Sequence, residues 1–296
     1  MQLEFDPGDM LDPAGAGAVG EDGRPSPPER LSPSGAATFE QCPCRWRFRY
    51  VDRLPDPPGV DALVGTFAHR VLEHLMETHP IRRTQDEARR IARTLWPEMA
   101  GSEDYRDLEL DDEQALEFRW QAWSAIEGLW HLEDPACVDV RATEQQVSVM
   151  LDDVPFRGVV DRVESEPDGL VISDYKSGRA PSARYAPSRL QQVLLYAAAI
   201  AALTGEQPVR AQLLYLKQRV VATAVTPVAL DGAVERLKST FHAIAEACDG
   251  DDFPARPGPL CGYCAYADRC PEGAVENRRR EEARAAEEEY LVRLAG

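Results

Sequence analysis

The stretch "VISDYKSG", residues 171–178, sets an acid and a base in what otherwise reads as an apolar strand. Asp174 and Lys176 stand two apart, so they share one face, because strand side chains alternate with a period of two. The turn before this strand adds a third charge. "EPDG" (166–169) suits a type I turn, with Pro at the second position and Gly at the fourth. Centred between Pro167 and Asp168, it pairs residues whose numbers sum to 335 and sets Asp161 opposite Asp174. Directly opposed residues share a face, with Cβ atoms about 4.5–5.5 Å apart. Two carboxylates and a lysine thus converge on one patch, and like charges that close repel unless something neutralises them.

A divalent cation is the simplest neutraliser. Oxygen ligands with room for water favour Mg²⁺ or Mn²⁺ over zinc. Such an ion lowers the pKa of a bound water and polarises a phosphate. A neighbouring ammonium can orient that water or stabilise charge on the phosphoryl oxygens. The bland alternative is a solvated hairpin with an ordinary Asp–Lys ion pair.

Working outward, residues 143–150 and 156–164 read as strands joined by a turn at "DDVP", and 170–176 as a third strand. A helix follows over 188–204, with Ser188 as its cap and Gly205 as its stop. Strands near 209–217 and 219–226 form a hairpin, and a helix covers 230–248. Upstream, apolar residues at 64, 67, 71, 72, 75 and 76 have helical spacing over 62–78. Helices at 84–97 and 111–132 come next, and a short helix capped by Ser34 runs toward Cys42, where Pro43 disrupts it. The order is α-rich, then β-β-β-α-β-β-α, which is a mixed α/β class.

Residues 1–30 are rich in Gly, Pro and acids without periodicity and read as disordered. The N-terminus lacks the basic start and apolar stretch of a secretory signal. No apolar run reaches the roughly 18–20 residues of a membrane span. The expected compartment is therefore cytoplasmic, and no membrane partner is expected. The net charge of −18 argues against a non-specific DNA coat but not against an enzyme with one local basic groove. Seven cysteines in a reducing compartment point to metal ligation or burial rather than disulfides.

"GVVDRVE" (158–164) followed by "LVISDYKSG" resembles the PD-(D/E)XK nuclease core, and within it the RecB-like exonuclease branch. "VGTFAHRVLE" (64–73) is similar to that branch's helix with a metal-binding histidine, here His69. "QVLLY" (192–196) resembles its Gln-x-x-x-Tyr motif, and "LSPSGAATFEQCP" with "CGYCAYADRC" its split cysteine cluster. Val160 departs from the pattern, standing where the family nominally has proline. The resemblance implies a restriction-endonuclease-like core, a central mixed sheet flanked by helices, preceded by a helical region. It spans residues 31–271 as one nuclease domain, with a helical insertion at about 80–135 and a charged C-terminal helix at 272–296.

It further implies roles. His69, Asp161, Asp174 and the Tyr175 backbone carbonyl hold Mg²⁺ or Mn²⁺, and Asp161, Asp174, Lys176, Gln192 and Tyr196 form the catalytic set. Residue type alone makes His69 an ordinary helix histidine and Tyr196 a core residue. Cys42, Cys261, Cys264 and Cys270 hold a [4Fe-4S] cluster by the same resemblance. Structural Zn²⁺ fits the cysteine spacing nearly as well, and Cys44 rivals Cys42 as the fourth ligand. Cys137 and Cys248 have no partner pattern and read as buried small hydrophobes. Arg45, Arg47 and Arg49 alternate with Trp46, Phe48 and Tyr50. That pattern suits single-stranded nucleic acid, or equally an amphipathic element with its rings in the core.

The expected activity is metal-dependent hydrolysis of DNA, exonucleolytic on single strands or free ends, in repair or recombination. Relatives work beside helicases, and a smaller one acts in CRISPR spacer acquisition. No GxxxxGK[ST] loop is present, so the chain is not itself a helicase. Two other classes stay open at this point: a non-catalytic DNA-end-binding iron–sulfur module, and an adaptor that uses its acidic surface.

Overall fold

The computed structural model describes residues 23–184 and 186–295. Most of the segment expected to be disordered lies outside those residues. Residues 23–30 are irregular, with Pro28 buried. The chain forms two compact units, Pro58–Arg236 and the combination of Met1–Pro57 with Leu237–Gly296.

The elements begin with α1 (Pro33–Gln41) and α2 (Pro43–Trp46), the latter running on into a π-helical turn over Arg47–Val51. Ser32, not Ser34, caps α1. Its hydroxyl accepts from the Gly35 amide, and Pro33 occupies the first helical position, where a missing N–H costs nothing. Helices α3 (Val60–Glu77), α4 (Gln85–Gly101), α5 (Glu103–Arg106), α6 (Asp112–Glu127) and α7 (Leu129–Leu132) follow. An Asp111–Gln114 capping box starts α6.

The sheet comprises β1 (Asp139–Leu151), β2 (Val154–Glu166), β3 (Gly169–Lys176), β4 (Arg210–Tyr215) and β5 (Arg219–Ala224), in that spatial order. Only β3 and β4 are parallel, and α8 (Ala186–Thr204) makes the crossover that this requires. This helix starts at Ala186, so Ser188 lies inside it rather than at its cap. Gly205 stops it at φ +75°, the left-handed conformation that glycine adopts freely. The last helices are α9 (Pro227–Gly250) and α10 (Pro271–Ala295).

The apolar stripe of α3 packs with α4, α6 and α7 in one cluster that also takes in Tyr175 and Leu214 from the sheet and Leu216 just beyond β4. Gly128, at the α6–α7 junction, allows this approach. A Cβ there would lie 1.7 Å from the Leu216 carbonyl oxygen. Helix α8 lies against the sheet, with Val193, Tyr196, Ala197 and Ile200 buried and the Tyr196 ring edge-on to Phe156. The sheet is therefore mixed, five-stranded and flanked by helices. Among the described residues no helix is long and apolar enough to cross a membrane.

Candidate active site

The β2–β3 ladder has the register that the "EPDG" turn demands, from Glu166–Gly169 to Arg162–Ser173. Asp161 and Asp174 stand one step beyond its last pair. The Tyr175 amide donates to Asp161 Oδ2 at 2.7 Å, which ties the two strands together at that point. The His69 ring, on the flank of the α3 stripe, brings Nδ1 to 3.4 Å from Asp161 Oδ2. The same ring stands edge-on to Tyr175, with centroids 5.7 Å apart.

Asp174 is 2% exposed. Its Oδ2 lies 2.6 Å from Lys176 Nζ, but off the hydrogen-bonding direction. It is the one buried carboxylate oxygen without a hydrogen-bond partner among the described residues. Burial, then repulsion from Asp161, pushes the Asp174 carboxyl up to about 6, against the pull of Lys176. Burial works against the Lys176 charge too, but the Asp174 and Asp161 carboxylates outweigh it and hold its pKa above the ordinary value. Lys176 thus keeps its proton at neutral pH.

A relay from α8 positions that ammonium. Lys176 Nζ donates to Gln192 Oε1 at 3.1 Å, and Gln192 Nε2 donates to the Tyr196 hydroxyl at 3.0 Å. Both residues therefore face the site from one side of the helix, four apart as their spacing requires. The Tyr196 ring fits because residue 158 is glycine. A Cβ there would stand 2.6 Å from Tyr196 Cε1.

One residue of this patch escapes motif reading. Glu144, on β1, joins His69 and Asp161 in a group whose ligand atoms all lie within 4.8 Å of one another. Burial first, then Asp161, Glu73 and Asp174, push its carboxyl up to about 8. The signal was arithmetic. The "DDVP" turn pairs residues summing to 305, which sets Glu144 opposite Asp161, as Thr143–Arg162 and Gln145–Val160 on either side confirm.

The model of the PD-(D/E)XK nuclease superfamily matches residues 30–271. The chain belongs to this superfamily. Among curated proteins, the Gene 69 protein of Mycobacterium phage D29 is 24% identical over 260 residues, covering 79% of this chain and 93% of the relative. The Gene 69 protein of Mycobacterium phage L5 is 28% identical over 134 residues, and the match spans only 44% of each. A solved structure from Eubacterium rectale, described as a proposed exonuclease, covers 90% of this chain and 94% of its own, with TM-score 0.46 and 14% identity.

The remaining candidate residues lie in the other compact unit. Arg45 and Arg49 both reach Asp56, at 3.4 and 3.0 Å, and Arg47 reaches Asp251 at 2.8 Å. The Trp46 and Tyr50 rings are buried. The alternation is thus a helical element with Trp46 and Tyr50 inside, Phe48 half-buried and its guanidiniums paired. Cys42, Cys44, Cys261, Cys264 and Cys270 line one cavity. Cys248 is buried as expected, whereas Cys137 is exposed beside Asp134.

Proposed function

We propose that this chain is a Mg²⁺- or Mn²⁺-dependent DNA exonuclease of the RecB-like branch, acting on single strands or free ends in repair or recombination, beside a helicase partner. The observation that carries the reading is the buried Asp174 carboxylate facing Asp161, two acids with one ammonium, Lys176, 2.6 Å from Asp174 Oδ2. Two buried acids that share one ammonium are costly unless a further cation completes them.

His69, Asp161, Asp174 and the Tyr175 carbonyl would hold the ion, which supplies Lewis acidity and an acidified water when bound. Lys176 meets the charge that develops on the phosphoryl oxygens. Gln192 turns its amide oxygen to Lys176 because Tyr196 engages the amide nitrogen, so this pair holds the ammonium in place. Arg45, Arg47 and Arg49 serve as DNA contacts only if phosphates displace Asp56 and Asp251. Residues 31–271 form the nuclease domain on this reading, with 80–135 as its helical insertion and 272–296 as an appended helix.

Backbone donors support a [4Fe-4S] cluster on Cys42, Cys261, Cys264 and Cys270. The amides of Arg256, Gly258 and Gly273 approach the Cys42, Cys261 and Cys270 sulfurs at 3.5, 3.4 and 3.3 Å, and the Tyr266 backbone pulls the Cys264 thiol down against its burial. Amides aimed at sulfur favour the thiolate. Cys44 receives none among the described residues, and burial with its neighbouring thiols pushes it up to about 12. The spread of the thiols also favours a cluster over one zinc. Thiolates around a tetrahedral zinc sit about 3.8 Å apart, and no three of these thiols meet within 4.8 Å among the described residues.

The test is a digestion time course on end-labelled single strands, with Mn²⁺ and with EDTA. Shortening from one end, abolished by EDTA, is expected. Binding of DNA ends without any cleavage would overturn the enzymatic reading. Anaerobically purified protein should carry about four irons per chain, and one zinc instead would overturn the cluster.

A further inference from the structure

We propose that Glu144 is a ligand of the divalent cation, the third carboxylate in a row that crosses β1, β2 and β3. The proposal rests on the metal-dependent reading above and adds a residue to it. The row follows from two registers. Glu144 faces Asp161 between the Thr143–Arg162 and Gln145–Val160 pairs, and Asp161 faces Asp174 beyond the Arg162–Ser173 pair. All three carboxylates therefore lie side by side on one face of the sheet.

Three further observations separate Glu144 from an ordinary strand acid. Its backbone has φ +44°, a left-handed conformation that a strand glutamate rarely adopts and that redirects its side chain. Its carboxylate makes no hydrogen bond and no ion pair among the described residues, although it is half-buried. Its oxygen nevertheless shares a sphere of 4.8 Å with ligand atoms of His69 and Asp161. Beside it, Asp174 is 2% exposed with an oxygen that lacks a hydrogen-bond partner.

Three carboxylates in a row, with Glu144 lacking any hydrogen bond or ion pair among the described residues and one lysine reaching only Asp174, are the arrangement that a hard cation resolves. Net negative charge alone does not explain it. Glu73, on α3, also lies close enough to repel Glu144, yet it does not join the group of ligand atoms.

The experiment measures binding of Mn²⁺ alone to the full-length protein, by calorimetry or by the spin-resonance signal of the free ion. It compares the wild type with Glu144→Gln, Asp161→Asn and Glu73→Gln. The expected result is affinity at least tenfold weaker for Glu144→Gln and for Asp161→Asn, and within about threefold of wild type for Glu73→Gln, which removes the same charge without a ligand. In EDTA the Glu144→Gln protein should melt no lower than wild type. Wild-type affinity in Glu144→Gln, alongside a loss in Asp161→Asn, would overturn the proposal and leave the nuclease reading standing. Equal losses in Glu144→Gln and Glu73→Gln would reduce Glu144 to a through-space charge and also overturn it. A lower melting temperature of Glu144→Gln in EDTA would make Glu144 a structural residue and would likewise overturn the proposal. A wild type that neither binds Mn²⁺ nor cleaves would instead fail the underlying reading.

Discussion

On one face of β2 and β3, Arg162 donates to Glu133 through both terminal nitrogens, at 2.6 and 2.9 Å, to Glu164 at 2.9 Å and to the Tyr175 hydroxyl at 2.8 Å. Ser173 donates to Glu164, and Gln212 donates to Ser173 at 2.8 Å. On the other face, one strand position away, Asp161 and Asp174 confront Glu144 with a single lysine among them. Both faces bury acids in the same two strands. The first closes its polar groups into a network, and such a network belongs to the fold. The second leaves oxygens without donors, and that shortfall is what a bound cation would make good.

The contrast breaks most visibly on the closed face. Arg162→Met keeps the side chain's length but strands Glu133 and Glu164. Removing one partner of a buried ion pair costs about 3–5 kcal/mol. Urea unfolding should register that loss, and a change under about 1 kcal/mol would mean that the network contributes little beyond packing.

On the open face, Lys176→Ala should leave the melting temperature nearly unchanged in the presence of metal and cut the cleavage rate by about 10²–10³, the usual cost of one lost electrostatic contact. Mn²⁺ affinity should hold, because an ammonium is not a ligand. A Lys176→Ala protein that no longer binds Mn²⁺ would contradict this division of labour.

A smaller effect sharpens the contrast through pH. In EDTA, Glu144 and Asp174 hold their protons up to about 8 and about 6, above their ordinary values of 4.5 and 3.8. The native state thus binds more protons than the unfolded chain between those values. Their contribution to stability is full below about pH 4 and is lost as pH rises toward 8, with a slope of at most about 1.4 kcal/mol per pH unit for each proton. Glu144→Gln should flatten that slope between about pH 5 and 8. Burial raises the Glu164 carboxyl on the closed face as well, so it is the difference between Glu144→Gln and wild type that isolates the open face. Melting temperatures in EDTA across pH 5–8 that coincide for the two proteins would mean that the open face stores no electrostatic strain.

Much of the open face was legible beforehand because it is local. A four-residue turn and a period of two bring Asp161, Asp174 and Lys176 together, and a four-residue helical spacing aligns Gln192 with Tyr196. Glu144 was legible in principle, since the same turn arithmetic on the first hairpin finds it. The closed face was not. Arg162 meets Glu133 from 29 residues away and outside the sheet, a pairing that no periodicity encodes. The arginine–aromatic alternation left nucleic-acid contact and a core-facing amphipathic element equally open. Tertiary packing makes the element helical, burying Trp46 against Phe39 and Phe253 and turning the guanidiniums toward Asp56 and Asp251. The cap of α1 went to Ser32 over Ser34 because the proline between them is suited to the first helical position.

On the proposed reading, the open face is strained without metal and a divalent cation would complete it. Asp161→Asn probes that state with little else disturbed, since an asparagine oxygen can still accept from the Tyr175 amide while the charge is gone. Thermal unfolding should be followed for both proteins in EDTA and in Mn²⁺. The expected outcome is that Asp161→Asn melts at or above wild type in EDTA, while only the wild type gains on adding Mn²⁺. An Asp161→Asn protein that melts well below wild type in EDTA, or that gains as much from Mn²⁺, would contradict it.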